Sequence, residues 1–189
     1  MHTTRQTAGW NRKAAAAATT ALLAVAVAAG VAAGVAAQQR MHTGGTMTEQ
    51  NKAMALRWSQ ELWSKGHLAV ADEIVAPDYV RHDPGAPFPA QGPEDVKRMV
   101  TMLRAMLPDL RITVEALIAE GDFVVSRYTA TATDTVGYMG MPPTGKSIRT
   151  PAIQIFRFAN GKIVESWAAR DDLGTLQQLG HLPSFGPKR

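Results

Sequence analysis

The sequence predicts an α+β domain in which three N-terminal helices pack on the concave face of a curved antiparallel sheet, and three observations lead to this class. Apolar residues recur at helical spacing between Thr48 and Leu107, strand-like segments fill Leu110 to Asp171, and the two kinds are segregated rather than alternating along the chain. Segregated elements argue for helices gathered against one face of an antiparallel sheet.

Thr48 caps a first helix running to about Lys65, with Met54, Trp58 and Leu62 on one stripe, and Gly66 stops it. Leu68 to Val75 forms a short second helix closed by Pro77. Tyr79 to His82 is a short extended segment entering a proline-rich loop, Asp83 to Pro93. Pro93 opens the third helix, with Glu94 and Asp95 in its first turn and Val96, Met99, Val100, Leu103, Met106 and Leu107 on its apolar face. Strands follow at Leu110 to Ala119, Phe123 to Thr135, Ile148 to Phe158 and Lys162 to Asp171, and a last helix covers Leu173 to Leu179.

Turn chemistry sets the expected register. Asn160-Gly161 is a type I′ hairpin signal, so Ala159 opposes Lys162. A regular ladder then places Phe158 with Ile163, Phe156 with Glu165, Gln154 with Trp167, Ala152 with Ala169 and Thr150 with Asp171 on one face. That face carries the aromatics and is expected to be concave. A weaker turn at Glu120-Gly121 pairs Ile118 with Phe123, Ala116 with Val125, Val114 with Arg127 and Ile112 with Thr129. Arg127 on this apolar face either snorkels at an edge or is held inside by a carboxylate or ligand.

Composition narrows the function classes. Four of the 20 basic residues and none of the 16 acidic ones precede Met47, leaving 16 of each sign in the rest, so no basic field points to nucleic acid. The absence of cysteine excludes disulfides, thiolate metal sites and a cysteine nucleophile. The histidines are scattered, no metal-ligand spacing appears, and the glycines from Gly137 to Gly145 lie between strands, not at a strand-to-helix phosphate loop. No cofactor is expected.

Residues 1–37 have the grammar of an export signal or membrane anchor: a basic start, an alanine-rich apolar run from Ala14 to Ala37, and Val35-Ala36-Ala37 before Gln38. Residues 38–47 read as a linker, 48–182 as the pocket domain and 183–189 as a tail. This implies an exported protein, with membrane contact only through the N-terminal segment if it is retained; a translation start at Met47 would instead leave the protein in the cytoplasm.

Helices over a curved sheet enclose a pocket, and the polar residues expected to face it are Asp171, Gln154, Arg127 and His82. Asp171 shares a face with Trp167, where burial would raise its carboxyl toward useful proton exchange; equally, it stands where an aspartate caps the following helix. His82 is either a second acid/base group or the cap of the Asp83-Pro84 turn. Gln154 and Arg127 would hydrogen-bond a developing enolate or a carbonyl, against a satisfied core amide and a structural ion pair.

Several stretches resemble the SnoaL-like polyketide (ester) cyclases, of the nuclear-transport-factor-like cone fold. They are Tyr-Val-Arg-His-Asp-Pro (79–84), Leu-Pro-Asp-Leu-Arg-Ile-Thr-Val-Glu (107–115), Ala-Glu-Gly-Asp (119–122), Gly-Met-Pro-Pro-Thr-Gly-Lys (140–146), Asn-Gly-Lys-Ile-Val-Glu-Ser-Trp (160–167) and Asp-Leu-Gly-Thr-Leu-Gln-Gln-Leu-Gly (172–180). The resemblance implies a cone-shaped barrel and an intramolecular aldol ring closure on a small apolar carbonyl substrate, without metal or cofactor. It implies an aspartate acid/base four residues after the last-strand tryptophan, which is Asp171 after Trp167, a histidine at His82, and a homodimer or homotetramer. The chain departs from the pattern at Ala132-Thr133-Asp134-Thr135-Val136, where many relatives read Gly-Thr-His-Thr-Gly. The alternatives are a noncatalytic carrier or sensor, an isomerase, and an epoxide hydrolase. The hydrolase requires two pocket carboxylates bridged by an arginine, with Arg127, Asp171 and Asp134 as the candidates.

Overall fold

Residue 45 and residues 47–86 and 88–183 are described by a computed structural model. The expected export segment, nearly all of the linker and the end of the tail lie outside the described residues. Among the described residues no helix is long and apolar enough to cross a membrane.

Helix α1 (residues 47–63) is α-helical to Arg57 and widens into a π-helical turn over Trp58–Trp63. Residues 45 and 47, at the end of the expected linker, are helical. The wide turn is closed by Ser64, whose backbone N–H and hydroxyl both donate to the Ser59 carbonyl. Arg104 spans the gap beyond it, donating from Nη1 to the carbonyls of Trp63 and Ser64 at 3.1 and 2.6 Å, so that the helix end is not left with bare acceptors. Helix α2 (Ala69–Ile74) leads directly into β1 (Val75–His82), and α3 (Gly92–Met106) begins beside Pro93 as expected.

The sheet contains β2 (Arg111–Glu120), β3 (Phe123–Thr133), β4 (Ser147–Ala159) and β5 (Lys162–Arg170) in the order β1-β5-β4-β3-β2. Four strands form the expected antiparallel meander, while β1 is longer than expected and pairs parallel with β5. Helix α4 (Asp172–Leu179) closes the fold. Trp58 anchors the core, with Phe156 edge-on at 5.6 Å and Tyr79 tilted at 6.0 Å between ring centres.

A bulge in one hairpin and a displaced turn in the other overturn the expected registers. The Asn160-Gly161 turn is as predicted, with φ of 50° and 72° and the pairs Ala159 with Lys162 and Phe158 with Ile163. Then Val164 is extruded, so Arg157 pairs with Glu165 and Phe156 with Ser166. A bulge of one residue turns every later side chain to the opposite face. Its physical reason is Glu165: a regular ladder would set that carboxylate opposite fully buried Phe156, a desolvation cost of several kcal/mol. The bulge substitutes Ser166, whose hydroxyl lies 2.6 Å from the Tyr79 hydroxyl, and moves Glu165 outward to Arg157 at 2.6 Å.

In the other hairpin the turn lies at Gly121-Asp122, so Glu120 pairs with Phe123 and Ala116, not Val114, pairs with Arg127. Glu115 bulges out there, and beyond it Val114 meets Tyr128 and Ile112 meets Ala130. The bulge turns β2 alone; β3 runs unbulged against β4, and its alternation puts Val124, Ser126 and Tyr128 on the concave face, opposite Phe156, Gln154 and Ala152.

Candidate functional site

A cavity of about 600 Å³ lies between α1, α3 and the concave face of the sheet. Its walls are largely apolar, from Trp58 and Trp63 on α1, Met99, Met102 and Met106 on α3, and Ile148 on β4. One corner is polar. There Arg81 and Asp83 arrive from the end of β1, Arg170 from the end of β5, and Asp172 from the first turn of α4.

The period of two in β1 puts Tyr79, Arg81 and Asp83 on one face, with Tyr79 fully buried. Asp83 is the centre of the corner. Its Oδ2 accepts from Arg81 Nη2 at 2.7 Å, Arg81 Nε at 3.1 Å and Arg170 Nη1 at 2.5 Å, while Oδ1 accepts from the Gly85 amide at 3.0 Å. The Asp83 and Arg81 side chains are 4% and 5% exposed, so these charges are compensated by one another rather than by solvent. Burial pushes the Asp83 carboxyl up, but the two guanidiniums together outweigh it and hold the group below the usual carboxylate range. Burial likewise pulls the Arg170 guanidinium down, and Asp83 and Asp172 more than reverse that.

Asp172 is held more loosely, with Arg170 Nε and Nη2 at 3.3 and 3.4 Å and the Tyr138 hydroxyl at 3.5 Å. Burial raises the phenols of Tyr128 and Tyr138, so both remain O–H donors at the cavity wall. Gly85 runs so close that a Cβ there would stand 2.7 Å from Arg170 Nη2. A side chain at that position would displace the ends of Arg170 and Asp172 and so disturb their pairing.

Tyr138 is carried by the loop between β3 and β4, and Asp134 shapes that loop. Its fully buried carboxylate accepts from the amides of Gly137 and Thr144 at 3.1 and 2.9 Å and from the Thr144 hydroxyl at 2.8 Å. Burial raises this carboxyl, and the three donors together with nearby His181 bring it below its ordinary value. Asp134 does not line the cavity.

Of the residues expected from sequence to face the pocket, Gln154 does, donating to the Ser166 hydroxyl at 3.3 Å. The others do not. Asp171 is exposed and caps α4, its Oδ1 accepting from the Gly174 amide at 2.8 Å; the bulge at Val164 turned it off the concave face. Trp167 lies on the outer face for the same reason, with His82 stacked on it at 5.0 Å and 13°. His82 is exposed, with Nε2 3.3 Å from Glu165 Oε1, because it alternates with the inward pair Arg81 and Asp83. Arg127 is also on the outer face, paired with Glu115. The residues missed are Arg81, Asp83, Arg170, Asp172, Tyr128 and Tyr138. A signal for four of them was available: Arg-x-Asp occurs at 81–83 and again at 170–172, and in a strand that spacing puts both charges on one face.

The SnoaL-like polyketide cyclase model matches residues 53–179. The chain belongs to this family. Solved structures of similar proteins agree with the cone fold. A protein assigned as a polyketide cyclase from Acidithiobacillus ferrooxidans is 32% identical, with a TM-score of 0.65 over 70% of this chain and 95% of that one. IdmH from Streptomyces antibioticus, also assigned as a polyketide cyclase, is 30% identical, with a TM-score of 0.62 over 69% and 99%. A SnoaL-like protein from Jannaschia sp. CCS1 is 25% identical, with a TM-score of 0.65 over 72% and 96%. No curated protein matches the chain. Among the described residues of this SnoaL-like chain, no group of three or more His, Asp or Glu side chains is arranged to hold a metal ion.

Proposed function

We propose that this SnoaL-like protein is a cyclase-type enzyme that removes a proton from carbon beside a carbonyl in a small apolar substrate and closes a ring by intramolecular aldol addition. The observation that carries this reading is the charged corner of a largely apolar cavity, where an ionised anchor, a loosely held carboxylate and phenol donors converge.

The acid/base role falls to Asp172, in place of Asp171. Asp83 is a poor base because two arginines stabilise its charge; Asp172 has only long contacts to one arginine and one phenol. Asp172 takes the α-proton, and the resulting enolate oxygen accepts from Tyr138 or Tyr128. The enolate carbon then bonds to a second carbonyl carbon of the same molecule, and the alkoxide formed recovers the proton from Asp172. Gln154 and the apolar walls orient the substrate.

The test is proton exchange of a panel of small carbonyl compounds in deuterated water. Wild type and Asp171→Asn should exchange, and Asp172→Asn should lose at least about 100-fold. No exchange above the Asp172→Asn control would reject the catalytic reading in favour of a carrier.

A second reading, epoxide hydrolysis, is favoured by one observation: Arg170 bridges two cavity carboxylates, Asp83 and Asp172, as that reaction requires. It ranks second because its general acid must hold a proton, and Arg81 and Arg170 disfavour the protonated form of Asp83. Incorporation of labelled water oxygen into a diol would promote it.

We also propose that the chain forms a homodimer or homotetramer through the outer face of the sheet. Ile118, Phe123 and Ile153 there are 67%, 44% and 48% exposed, beside half-buried Trp167. Light scattering of the purified protein, with Ile153→Asp as the disrupting variant, tests this.

A further inference from the structure

Most buried polar atoms of this domain have partners. Among the described residues the buried side-chain atoms without one are Asn51 Oδ1, Trp63 Nε1, Arg81 Nη1, Ser126 Oγ and His181 Nε2. Only Trp63 and Arg81 line the cavity, and both of their orphan atoms are N–H donors. The two side chains lie together, the Arg81 guanidinium carbon 5.7 Å from the centre of the Trp63 ring.

Charge points the same way. The carboxylate oxygen of Asp83 that serves Arg81 also serves Arg170, so one anion is divided between two cations. Asp172 offsets Arg170 on the more open side, where its own side chain is 34% exposed. No carboxylate offsets the remaining guanidinium N–H of Arg81. A buried, unpaired donor on a charged group costs several times an ordinary lost hydrogen bond, unless an acceptor joins it.

We infer that the cavity takes an apolar ligand bearing an anionic oxygen group, a carboxylate or a phenolate, and that this group sits on Arg81 Nη1 and Trp63 Nε1. The apolar body of the ligand lies along the methionines of α3. This rests on the reading of the cavity as a ligand site, but not on Asp172 acting as a base.

The probes are 2-naphthoate and its neutral analogue 2-naphthylmethanol, titrated calorimetrically into the full chain at pH 7. Wild type should bind the naphthoate more tightly. Arg81→Lys, which keeps the charge and loses the fork, should weaken naphthoate about tenfold, the loss expected for one charge-assisted hydrogen bond, and move naphthylmethanol less than about twofold. Trp63→Phe keeps a ring in place and removes only the N–H, so it guards against misfolding; it should weaken naphthoate alone, by about threefold or more. Equal affinity for the two probes, or an unchanged ratio in both variants, overturns the inference and leaves the cavity reading intact. Failure of both probes to bind overturns both.

Discussion

Replacing Asp83 by asparagine tests the physics of the polar corner without knowledge of any substrate. The substitution keeps the shape and removes one charge. In wild type the carboxylate neutralises Arg81, whose side chain is 5% exposed, and shares in neutralising Arg170, which is 23% exposed. Arg170 retains Asp172, so the uncompensated charge falls mainly on Arg81. Breaking a buried pair in this way costs about 3–5 kcal/mol. For a domain of this size that lowers Tm by roughly 10–20 °C. The assay is urea unfolding at a series of pH values. Because the Asp83 carboxyl is held below its ordinary value in the fold, its stabilisation is complete above the unfolded value, near ~3.9, and is lost as pH falls through the folded value. The gap between wild type and Asp83→Asn should therefore be full at neutral pH and close progressively below about pH 4. A loss under about 1 kcal/mol at neutral pH, or a gap that does not narrow in acid, would refute the assignment of Asp83 as a buried counter-ion.

Asp171→Ala removes a helix cap and should cost about 1 kcal/mol while leaving carbon-acid exchange within about twofold of wild type. Asp134→Ala strands the buried Gly137 amide and the half-buried amide and hydroxyl of Thr144, so it should cost about 2–3 kcal/mol and also weaken ligand binding by loosening Tyr138; urea unfolding and titration read the two effects. Phe156→Ala should cost about 3–5 kcal/mol, since its fully buried ring packs on Trp58.

The legible parts of this protein are those set by neighbours in the chain. Pro93 with Glu94 and Asp95 marked the start of α3, and Asn160-Gly161 marked a hairpin whose first two pairs are as expected. The Arg-x-Asp spacing is also local, but which face of β1 turns inward is set only by its parallel pairing with β5, far along the chain. Asp171 is the harder case. Its distance from Trp167 is a matter of sequence, but the face it occupies depends on a bulge three residues before that tryptophan, and nothing local requires Val164 to bulge.

Sequence alone determined the class of the fold, the order of its elements and the Asn160-Gly161 turn, because periodicity, capping and turn chemistry act over a few residues; its motif stretches carried the likeness to the SnoaL-like family. Tertiary structure decided which side chains meet in the cavity. The extrusion of Val164 depends on whether Glu165 can be buried against Phe156, a contact between strands that becomes costly only once the helices have covered the concave face. That one step turns Asp171 and Trp167 away, brings Arg170 inward, and sets it between Asp83 and Asp172.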